Sequence, residues 1–265
     1  MTASETIDKQ KLSFLLVPTS GLVMQEKLPK NARLFDQAKY IDQVQKAMKD
    51  YNFVDVRDTL MDHNDEYIYY KTDHHWTSAG ACLAYDVWSE RTGGEAETED
   101  GLVKNVVSDK FRGSLYSKIL DADSAYDEIW TYGLQKDDAF GSKDCTVTID
   151  EKQQLDSIYD DEMLQKKDKY AYFLSGNYGQ VHIQNQKAAS KAKGKNILII
   201  KDSFANSFVP FVTQDYENIY MVDLRYYNGD MKSYLQEHNI TDVLVLYNIS
   251  NFISARNLHK LTGGI

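Results

Sequence analysis

The clearest indication of the fold is the segment Asn196-Ile197-Leu198-Ile199-Ile200-Lys201-Asp202-Ser203. Its continuous apolar run predicts a strand that is buried on both faces of a parallel sheet. The polar residues that follow predict a tight turn, and residues 204–212 predict a short helix. Because strands alternate with helices in α/β proteins, this stretch predicts an α/β fold. It also predicts that Ser203 lies at the carboxyl end of a strand, where open α/β sheets bind ligands.

The same alternation of strand and helix appears towards both ends of the chain. Predicted strands lie at residues 13–18, 53–56, 219–224 and 243–247, and predicted helices at residues 35–51, 79–91 and 231–238. Residues 66–71 form a further predicted strand or extended segment. This order predicts a parallel sheet flanked by helices.

The alternation is lost after residue 91 and returns only near residue 170. We interpret residues 92–169 as an irregular insertion, or cap, over the core of a single α/β domain that spans residues 1–265. Residues 170–174 and 180–183 flank the turn Ser175-Gly176-Asn177-Tyr178-Gly179 and are predicted to form a β-hairpin.

Composition and charge exclude several classes of protein. The formal net charge is −10, which argues against binding to nucleic acid or to an anionic membrane surface. The partner is therefore expected to be neutral, or to be held by local contacts. Cys82 and Cys145 lack the spacing of a metal site. Two buried thiols are the expected state, and a single disulfide is the alternative.

The start of the chain gives an expectation about location. Residues 1–10 are polar and acidic and lack a signal-peptide pattern. The sequence contains no run of about 18 apolar residues, so no segment is predicted to span a membrane. The pattern is that of a soluble fragment separated from an N-terminal anchor or signal.

Ser203 has two interpretations. It follows a buried strand and precedes a helix, whose free backbone amides can hold a developing oxyanion. This placement suits a nucleophile in acyl transfer. The alternative is that the Ser203 hydroxyl only caps the helix.

A second segment, Thr72-Asp73-His74-His75-Trp76-Thr77, carries a carboxylate and two imidazoles. A serine hydroxyl is a weak nucleophile until a base takes its proton, and a carboxylate orients that base. In an extended turn, residues two positions apart point the same way, so Asp73 can reach the ring of His75. The alternative is that both histidines lie in a polar turn before a helix capped by Thr77.

A metal site is a further interpretation of the same segment. Asp73-His74-His75 is similar to the motif of the manganese phosphoesterases named for an Asp-His-His sequence. Those enzymes need further acidic and histidine clusters upstream. The nearby residues Asp55, Asp58, Asp62 and His63 lack that arrangement.

The two segments together resemble the DHHW family. The resemblance rests on residues 72–77, on Gly80 and on Ile200-Lys201-Asp202-Ser203-Phe204-Ala205-Asn206-Ser207. It extends from Val17-Pro18-Thr19 to Tyr247-Asn248. That family is similar to the SGNH-like alginate O-acetyltransferases and to the acetylation proteins of bacterial cellulose systems.

The resemblance implies an SGNH-hydrolase-like α/β fold with its motifs in permuted order, because the Asp/His pair comes before the serine. It implies Ser203 as nucleophile, His75 as base and Asp73 as the acid that orients the base. It also implies candidate residues for the oxyanion hole and substrate. Arg225, Tyr247 and Asn248 follow two predicted strands, Asn177 is an alternative from a turn, and Trp76 adjoins the pair.

The function implied by the resemblance is that of an O-acetyltransferase or acetylesterase. Its substrate is expected to be a bacterial cell-surface or secreted polysaccharide, such as the exopolysaccharide of a biofilm, outside the cell or in the cell envelope. A membrane-bound partner that supplies acetyl groups is implied as well, and no cofactor or metal is expected. The alternatives are a catalytically silent glycan-binding module and the metal-dependent phosphoesterase.

Overall fold

The computed structural model describes residues 8–94, 101–121, 123–188 and 190–262. Part of the predicted insertion, residues 95–100 and residue 122, and most of the polar start lie outside the described residues. The strands are β1 (Leu12–Val17), β2 (Asn52–Val54), β3 (Val103–Phe111), β4 (Asp127–Gly133), β5 (Cys145–Ile149), β6 (Gln153–Leu155), β7 (Gln180–Asn185), β8 (Asn196–Lys201), β9 (Asn218–Val222) and β10 (Asp242–Asn248).

The helices lie between these strands. The α-helices are α1 (Ser20–Val23), α2 (Gln37–Ala47), α3 (Arg57–Asp62), α4 (Ser78–Arg91), α5 (Ser114–Ile119), α6 (Val209–Val212), α7 (Met231–Glu237) and α8 (Ile249–Ser254). Short 3-10 helices lie at Lys9–Lys11, Gln25–Lys27, Asp161–Gln165, Lys169–Tyr172, Ser203–Asn206 and Leu258–Thr262. The helix predicted after Ser203 is thus two short pieces, a 3-10 turn and α6.

Eight strands form one large mixed sheet in the order β2-β1-β10-β8-β9-β7-β5-β6. The first five are parallel, and β8 lies between β10 and β9. The last three run antiparallel to their neighbours. The predicted parallel sheet is therefore confirmed for five strands, and an antiparallel extension adds three more.

Both faces of the sheet are covered, which explains the continuous apolar runs. On β8, Ile197 and Ile199 pack on one face, while Leu198 and Ile200 pack on the other. The first face packs against α4 and α6. The second packs against α2, α7 and α8. Such coverage is typical of parallel sheets in α/β proteins.

Helix α4 begins directly after the predicted Asp/His segment. The Thr77 side chain caps it by accepting a hydrogen bond from the Gly80 backbone N–H. A Cβ at Gly80 would lie 2.5 Å from the Ile68 carbonyl oxygen, so only glycine allows the helix to approach that strand-like segment. At the far end, the Trp88 indole donates to the Ser13 hydroxyl on β1 at 3.0 Å. These contacts fix the position of residues 72–77 relative to the sheet.

The predicted insertion contributes to two sheets. β3 and β4 form a separate antiparallel pair. β5 and β6, from the same stretch, extend the large sheet instead. A cluster of aromatic and aliphatic side chains packs between β3, β4 and the predicted Asp/His segment, with members Tyr70, Phe111, Ile129, Tyr170, Tyr172 and Phe173.

The predicted hairpin at residues 170–183 is wrong. β7 exists, but Lys169–Tyr172 is a 3-10 helix, and β7 pairs with β5 and β9. Tyr170 and Phe173 pack in the aromatic cluster, which a strand paired with β7 would not allow. The segment at residues 66–71 is not a strand, which leaves the second prediction, an extended segment. Tyr69 forms one isolated bridge with Trp76.

Lys201, the last residue of β8, is a buried cation. Its ammonium donates hydrogen bonds to the Asn177 Oδ1 at 2.8 Å and to the Asn206 Oδ1 at 2.7 Å. Burial lowers the pKa of Lys201 from 10.5 to about 8, although the charges of Asp223 and Asp202 oppose this. The lysine thus ties the turn before β7 to the turn after β8.

We expect the Lys201→Met variant to differ from the wild type in how its stability depends on pH. Between the folded pKa of about 8 and the unfolded pKa of 10.5, the unfolded chain holds a proton that the folded chain lacks. Raising the pH through this window therefore stabilises the wild type, by about 3 kcal/mol relative to Lys201→Met.

Urea unfolding between about pH 7.5 and pH 10.5 measures this difference. Lys195→Met is the matched control, because Lys195 is exposed and lies next to β8. The control should follow the wild type at every pH. Parallel curves for the wild type and Lys201→Met would contradict the depressed pKa of Lys201.

Candidate active site

The Asp73–His75 turn is held by a buried carboxylate from β4. Asp127 accepts hydrogen bonds from the backbone N–H of Lys71 at 2.9 Å and of Thr72 at 2.7 Å. The Thr72 hydroxyl donates to it at 2.6 Å, and the Tyr67 hydroxyl donates to it as well. Buried carboxylates need such donors, so this network fixes the backbone directly before Asp73.

Asp73 is oriented from both sides. Its Oδ1 accepts the His75 backbone N–H at 3.0 Å, and its Oδ2 accepts the Ser114 backbone N–H at 2.7 Å. Burial alone would raise the pKa of Asp73, but the hydrogen bond and charge of His75 hold it well below its usual value. Asp73 is therefore an anion throughout the physiological range.

Gly113 is the residue that lets β3 and α5 approach Asp73. A Cβ at this position would lie 2.3 Å from the Asp73 Cβ and Oδ2, closer than atoms can come. The Gly113 backbone N–H also donates to the Thr72 hydroxyl at 3.1 Å. The close approach is what lets the neighbouring Ser114 N–H reach the carboxylate.

His75 connects Asp73 to Ser203. Its Nδ1 lies 2.5 Å from the Asp73 Oδ1, and its Nε2 lies 2.7 Å from the Ser203 Oγ. His75 is 5% exposed and Ser203 is 7% exposed. The three predicted catalytic residues are thus brought together in one line of hydrogen bonds, in the arrangement that activates a serine hydroxyl.

Ser203 is held in place by its neighbour Asp202. The Asp202 carboxylate is fully buried and accepts the Phe204 backbone N–H at 2.9 Å. It also accepts the Asn248 backbone N–H at 2.8 Å and the Asn251 side-chain amide at 2.7 Å. Asp202 therefore joins the end of β8 to the end of β10. Ser203 starts the 3-10 turn, but the Phe204 N–H that follows it is bound by Asp202 and is not a free donor for an oxyanion.

Two rings lie close to the His75 imidazole. The Tyr170 ring is stacked on it, with centroids 3.8 Å apart and planes 8° apart, and the His74 ring lies 3.9 Å away. The Tyr170 hydroxyl donates to the Ser203 carbonyl oxygen at 3.1 Å. Tyr170 thus contacts both partners of the central hydrogen bond. The sequence prediction missed it, because a tyrosine in an irregular segment carries no periodic signal.

The His74 ring is not part of the line of hydrogen bonds, although its Nδ1 lies 3.6 Å from the Asp73 Oδ1. Its Nδ1 lies 2.6 Å from the Ser114 hydroxyl. Burial, followed by the charge of His75, lowers the pKa of His74 to about 4. His74 is therefore neutral at pH 7 and adds no positive charge next to His75.

The prediction that Trp76 contacts substrate is wrong. Its side chain is fully buried, with 0% exposure, so no surface remains for a ligand. The indole N–H lies 3.0 Å from both the Phe204 carbonyl oxygen and the Ser207 hydroxyl. Trp76 therefore stabilises the turn that contains Ser203.

The other predicted binding residues divide into buried and accessible positions. Asn248 is buried, donates to the Val17 carbonyl oxygen and caps α8 through the Ser250 N–H. Its side chain therefore has a structural role, which corrects its prediction as a substrate contact. Tyr247 is also buried and lies in the wall of a cavity.

Arg225 and Asn177 are the accessible candidates. Arg225 forms a two-pronged ion pair with the buried Asp223, yet 41% of its side chain stays exposed. Asn177 is exposed, and its Oδ1 accepts from Lys201 at 2.8 Å. Each side chain is thus fixed by a contact with a buried residue, and part of it still faces the solvent.

A metal site is geometrically conceivable at only one place in the described part of the chain. Oxygen and nitrogen atoms of Asp73, His74 and His75 lie within 4.8 Å of one another. Both ring nitrogens of His75 already have partners, Asp73 and Ser203. A metal bound by His75 would need to replace one of these contacts.

Two further expectations concern cysteines and membranes. Cys82 and Cys145 are both buried and are not joined by a disulfide. No helix within the described ranges has the length and apolar character needed to cross a bilayer.

Solved structures with the same architecture are found in several bacteria. A DHHW family protein from Eubacterium siraeum is 23% identical, with a TM-score of 0.80 over 97% of this chain and 84% of that chain. PatB1 from Bacillus cereus, solved with a sulfonyl adduct, is 24% identical, with a TM-score of 0.72 over 92% of this chain and 83% of that chain.

The O-acetyltransferase domain of AlgJ from Pseudomonas putida is more distant. It is 13% identical, with a TM-score of 0.53 over 96% of this chain and 84% of that chain. At these identities, the likeness shows a shared fold, and the predicted SGNH-hydrolase-like α/β class is confirmed.

Sequence comparison gives the family. No curated protein matches the chain. The family model described as DHHW protein matches residues 20–222, which include both the Asp73–His75 turn and Ser203. The chain therefore belongs to the DHHW protein family.

Proposed function

We propose that this protein is a serine-dependent O-acetyltransferase or acetylesterase that acts on a polysaccharide through an acetyl-serine intermediate. The observation that carries the proposal is the line of hydrogen bonds from Asp73 through His75 to Ser203. The likeness in fold to an O-acetyltransferase domain supports the choice of acetyl as the transferred group.

In the first half of the proposed reaction, the Ser203 Oγ attacks the carbonyl carbon of an acetyl ester. The hydroxyl proton moves to the His75 Nε2, and the Asp73 carboxylate stabilises the imidazolium that forms. When the tetrahedral intermediate collapses, the bond to the leaving alcohol breaks and that alcohol takes the proton from His75. The acetyl group stays on Ser203 as an ester.

In the second half, a hydroxyl group attacks the acetyl-serine. His75 takes its proton and then returns one to the Ser203 Oγ as the new ester or acid leaves. A sugar hydroxyl at this step makes the protein a transferase, and water makes it an esterase. Both outcomes use the same three residues.

The oxyanion of the tetrahedral intermediate needs hydrogen-bond donors. We assign this role to the Asn177 amide and the Arg225 guanidinium. Lys201 holds the Asn177 Oδ1, and this orientation leaves the amide N–H bonds as its free donors. The ion pair with Asp223 uses the Arg225 Nε and Nη2, which leaves Nη1 with no acceptor among the described residues.

The proposed substrate also defines where the protein acts. A cell-surface or secreted polysaccharide is met in the cell envelope or outside the cell, so the proposed reaction takes place there. A transferase at that location needs an acetyl donor, and we propose that a membrane-bound partner delivers it.

We expect phenylmethylsulfonyl fluoride to label Ser203, because the reagent reacts with serines that an adjacent base activates. Mass spectrometry of the intact protein and of its peptides measures the label. Turnover of p-nitrophenyl acetate should fall by about 1,000-fold or more in Ser203→Ala and in His75→Ala. The Ser203→Ala/His75→Ala double variant should be no worse than either single variant, because the residues act as one unit.

Ser78→Ala is the matched control for labelling, since Ser78 is also buried but its hydroxyl donates to the Trp130 carbonyl oxygen at 2.6 Å and does not contact His75. It should be labelled like the wild type. Equal labelling of the wild type and Ser203→Ala would contradict the proposal, and so would losses that add in the double variant. The glycan-binding alternative predicts no labelling at all.

Tyr170 is expected to matter through its ring. Tyr170→Phe keeps the stacked face and should retain turnover within about 3-fold, whereas Tyr170→Leu should lose about 10-fold or more, mainly in kcat. Loss of the aromatic face also removes an attraction for the imidazolium, worth about 0.5–1 kcal/mol.

Steady-state kinetics, with thermal unfolding as a check on folding, tests this expectation. Tyr172→Leu is a suitable comparison, because Tyr172 is buried in the same aromatic cluster but is not stacked on His75. An unchanged kcat in Tyr170→Leu, or the same loss of kcat in Tyr172→Leu, would show that the ring does not act on His75.

The metal-dependent alternative predicts loss of activity on chelation. We expect acetyl-ester turnover to stay within about 2-fold after dialysis against EDTA, because Asp73 and His75 use their polar atoms on each other and on Ser203. Activity measured before and after dialysis, with and without added manganese, tests this. A loss that manganese restores would favour the phosphoesterase.

A further inference from the structure

A cavity of about 320 Å³ lies at the edge of the sheet next to the residue before Ser203. Its size falls at the lower end of the range for ligand sites, roughly 300–1,000 Å³, which suits one sugar unit. Leu224 and Tyr247 give it an apolar surface. Its polar lining includes Asp202, Arg225, Asn251 and Arg256.

The polar side chains that line the cavity include hydrogen-bond donors, and none of them presents an exposed carboxylate to a ligand. Of the described residues that line it, only Asp202 is acidic, and three internal donors already occupy its oxygens. Asp202 is also fully buried. A ligand in the cavity therefore meets no exposed carboxylate.

The guanidinium groups of Arg225 and Arg256 both have N–H donors that no carboxylate of the described residues occupies. Arg225 uses Nε and Nη2 on Asp223 and keeps a large exposed fraction. Arg256 is exposed and has no carboxylate partner among the described residues. The chain carries six arginines and a net charge of −10, so two arginines at one cavity form a local exception to its acidic surface.

We propose that this cavity binds an anionic group, a carboxylate or a phosphate, on the saccharide that reacts at Ser203. Arginine forks match the geometry of both groups and bind them more specifically than lysine does. The inference rests on the proposed function and deepens it, because it names the substrate as an acidic glycan. Arg256 is the specificity-determining residue, and Arg225 contributes its positive charge to the cavity wall.

The experiment measures how well saccharides protect Ser203 from phenylmethylsulfonyl fluoride. The carboxylate pair is trigalacturonate and its neutral methyl ester, and the phosphate pair is glucose 6-phosphate and glucose. An acidic saccharide should slow labelling several-fold, and its neutral counterpart should not. Arg256→Gln should raise the concentration for half protection about 10-fold, and 0.5 M NaCl should act in the same direction.

Arg33→Gln is the matched control, because Arg33 is exposed and is not part of the cavity. It should be protected like the wild type. Protection by trigalacturonate alone identifies a uronate, and protection by glucose 6-phosphate alone identifies a phosphate; either result supports the inference. Equal protection by acidic and neutral ligands, no protection by any of them, or an unchanged Arg256→Gln would overturn it.

Failure of the proposed function gives a different result. If Ser203 is not labelled at all, the proposed chemistry is wrong, and calorimetric titration of the same four ligands then tests the cavity alone. Binding of an acidic ligand that weakens about 10-fold in Arg256→Gln would keep the anionic site without the acetyl chemistry. Absence of that binding would overturn the inference as well.

Discussion

One hydrogen bond sets the demands on the rest of the structure: His75 Nε2 and Ser203 Oγ lie 2.7 Å apart although the residues are 128 positions apart. Hydrogen bonds in proteins need donor–acceptor distances of about 2.5–3.2 Å and a nearly linear geometry, so both segments need rigid support. Two buried carboxylates supply it. Asp127 accepts hydrogen bonds from the backbone N–H groups directly before Asp73. Asp202 accepts them from the backbone N–H groups at the ends of β8 and β10. Each carboxylate is stable in the interior because several donors surround it.

The irregular middle of the chain is therefore part of the site as well as a cover for it. Asp127 lies on β4, and Gly113 and Ser114 lie at the start of α5, yet all three act on residues 72–73. Tyr170 follows the same stretch and stacks on His75. The regular α/β core places the two motifs at one sheet edge, and the irregular segments then bring them to contact distance.

The regular α/β core could be predicted from the sequence, whereas much of the irregular middle of the chain could not. β1, β8, β10 and α4 have strong local patterns, namely apolar runs or a capped apolar helix, and these survive in the fold. The spacing of Asp73 and His75 made their contact predictable, because it depends on one local turn. Tyr170 and Asp127 act over long sequence distances and carry no pattern. Trp76 was misassigned because the sequence does not tell whether an aromatic ring next to a motif faces the solvent or the core.

The pairing of β1 with β10 has a consequence for how this chain folds. Leu12 lies opposite Val243 in the register, so the first strand finds its central neighbour only after about nine-tenths of the chain is available. Non-local pairings of this kind slow folding, because the chain entropy is lost before the contacts form. During synthesis, the edges of β1 and β8 that later pair with β10 would stay unpaired, and unpaired strand edges are prone to aggregate. Chains shortened before β10 should therefore accumulate as insoluble protein, even though they retain Asp73, His75 and Ser203.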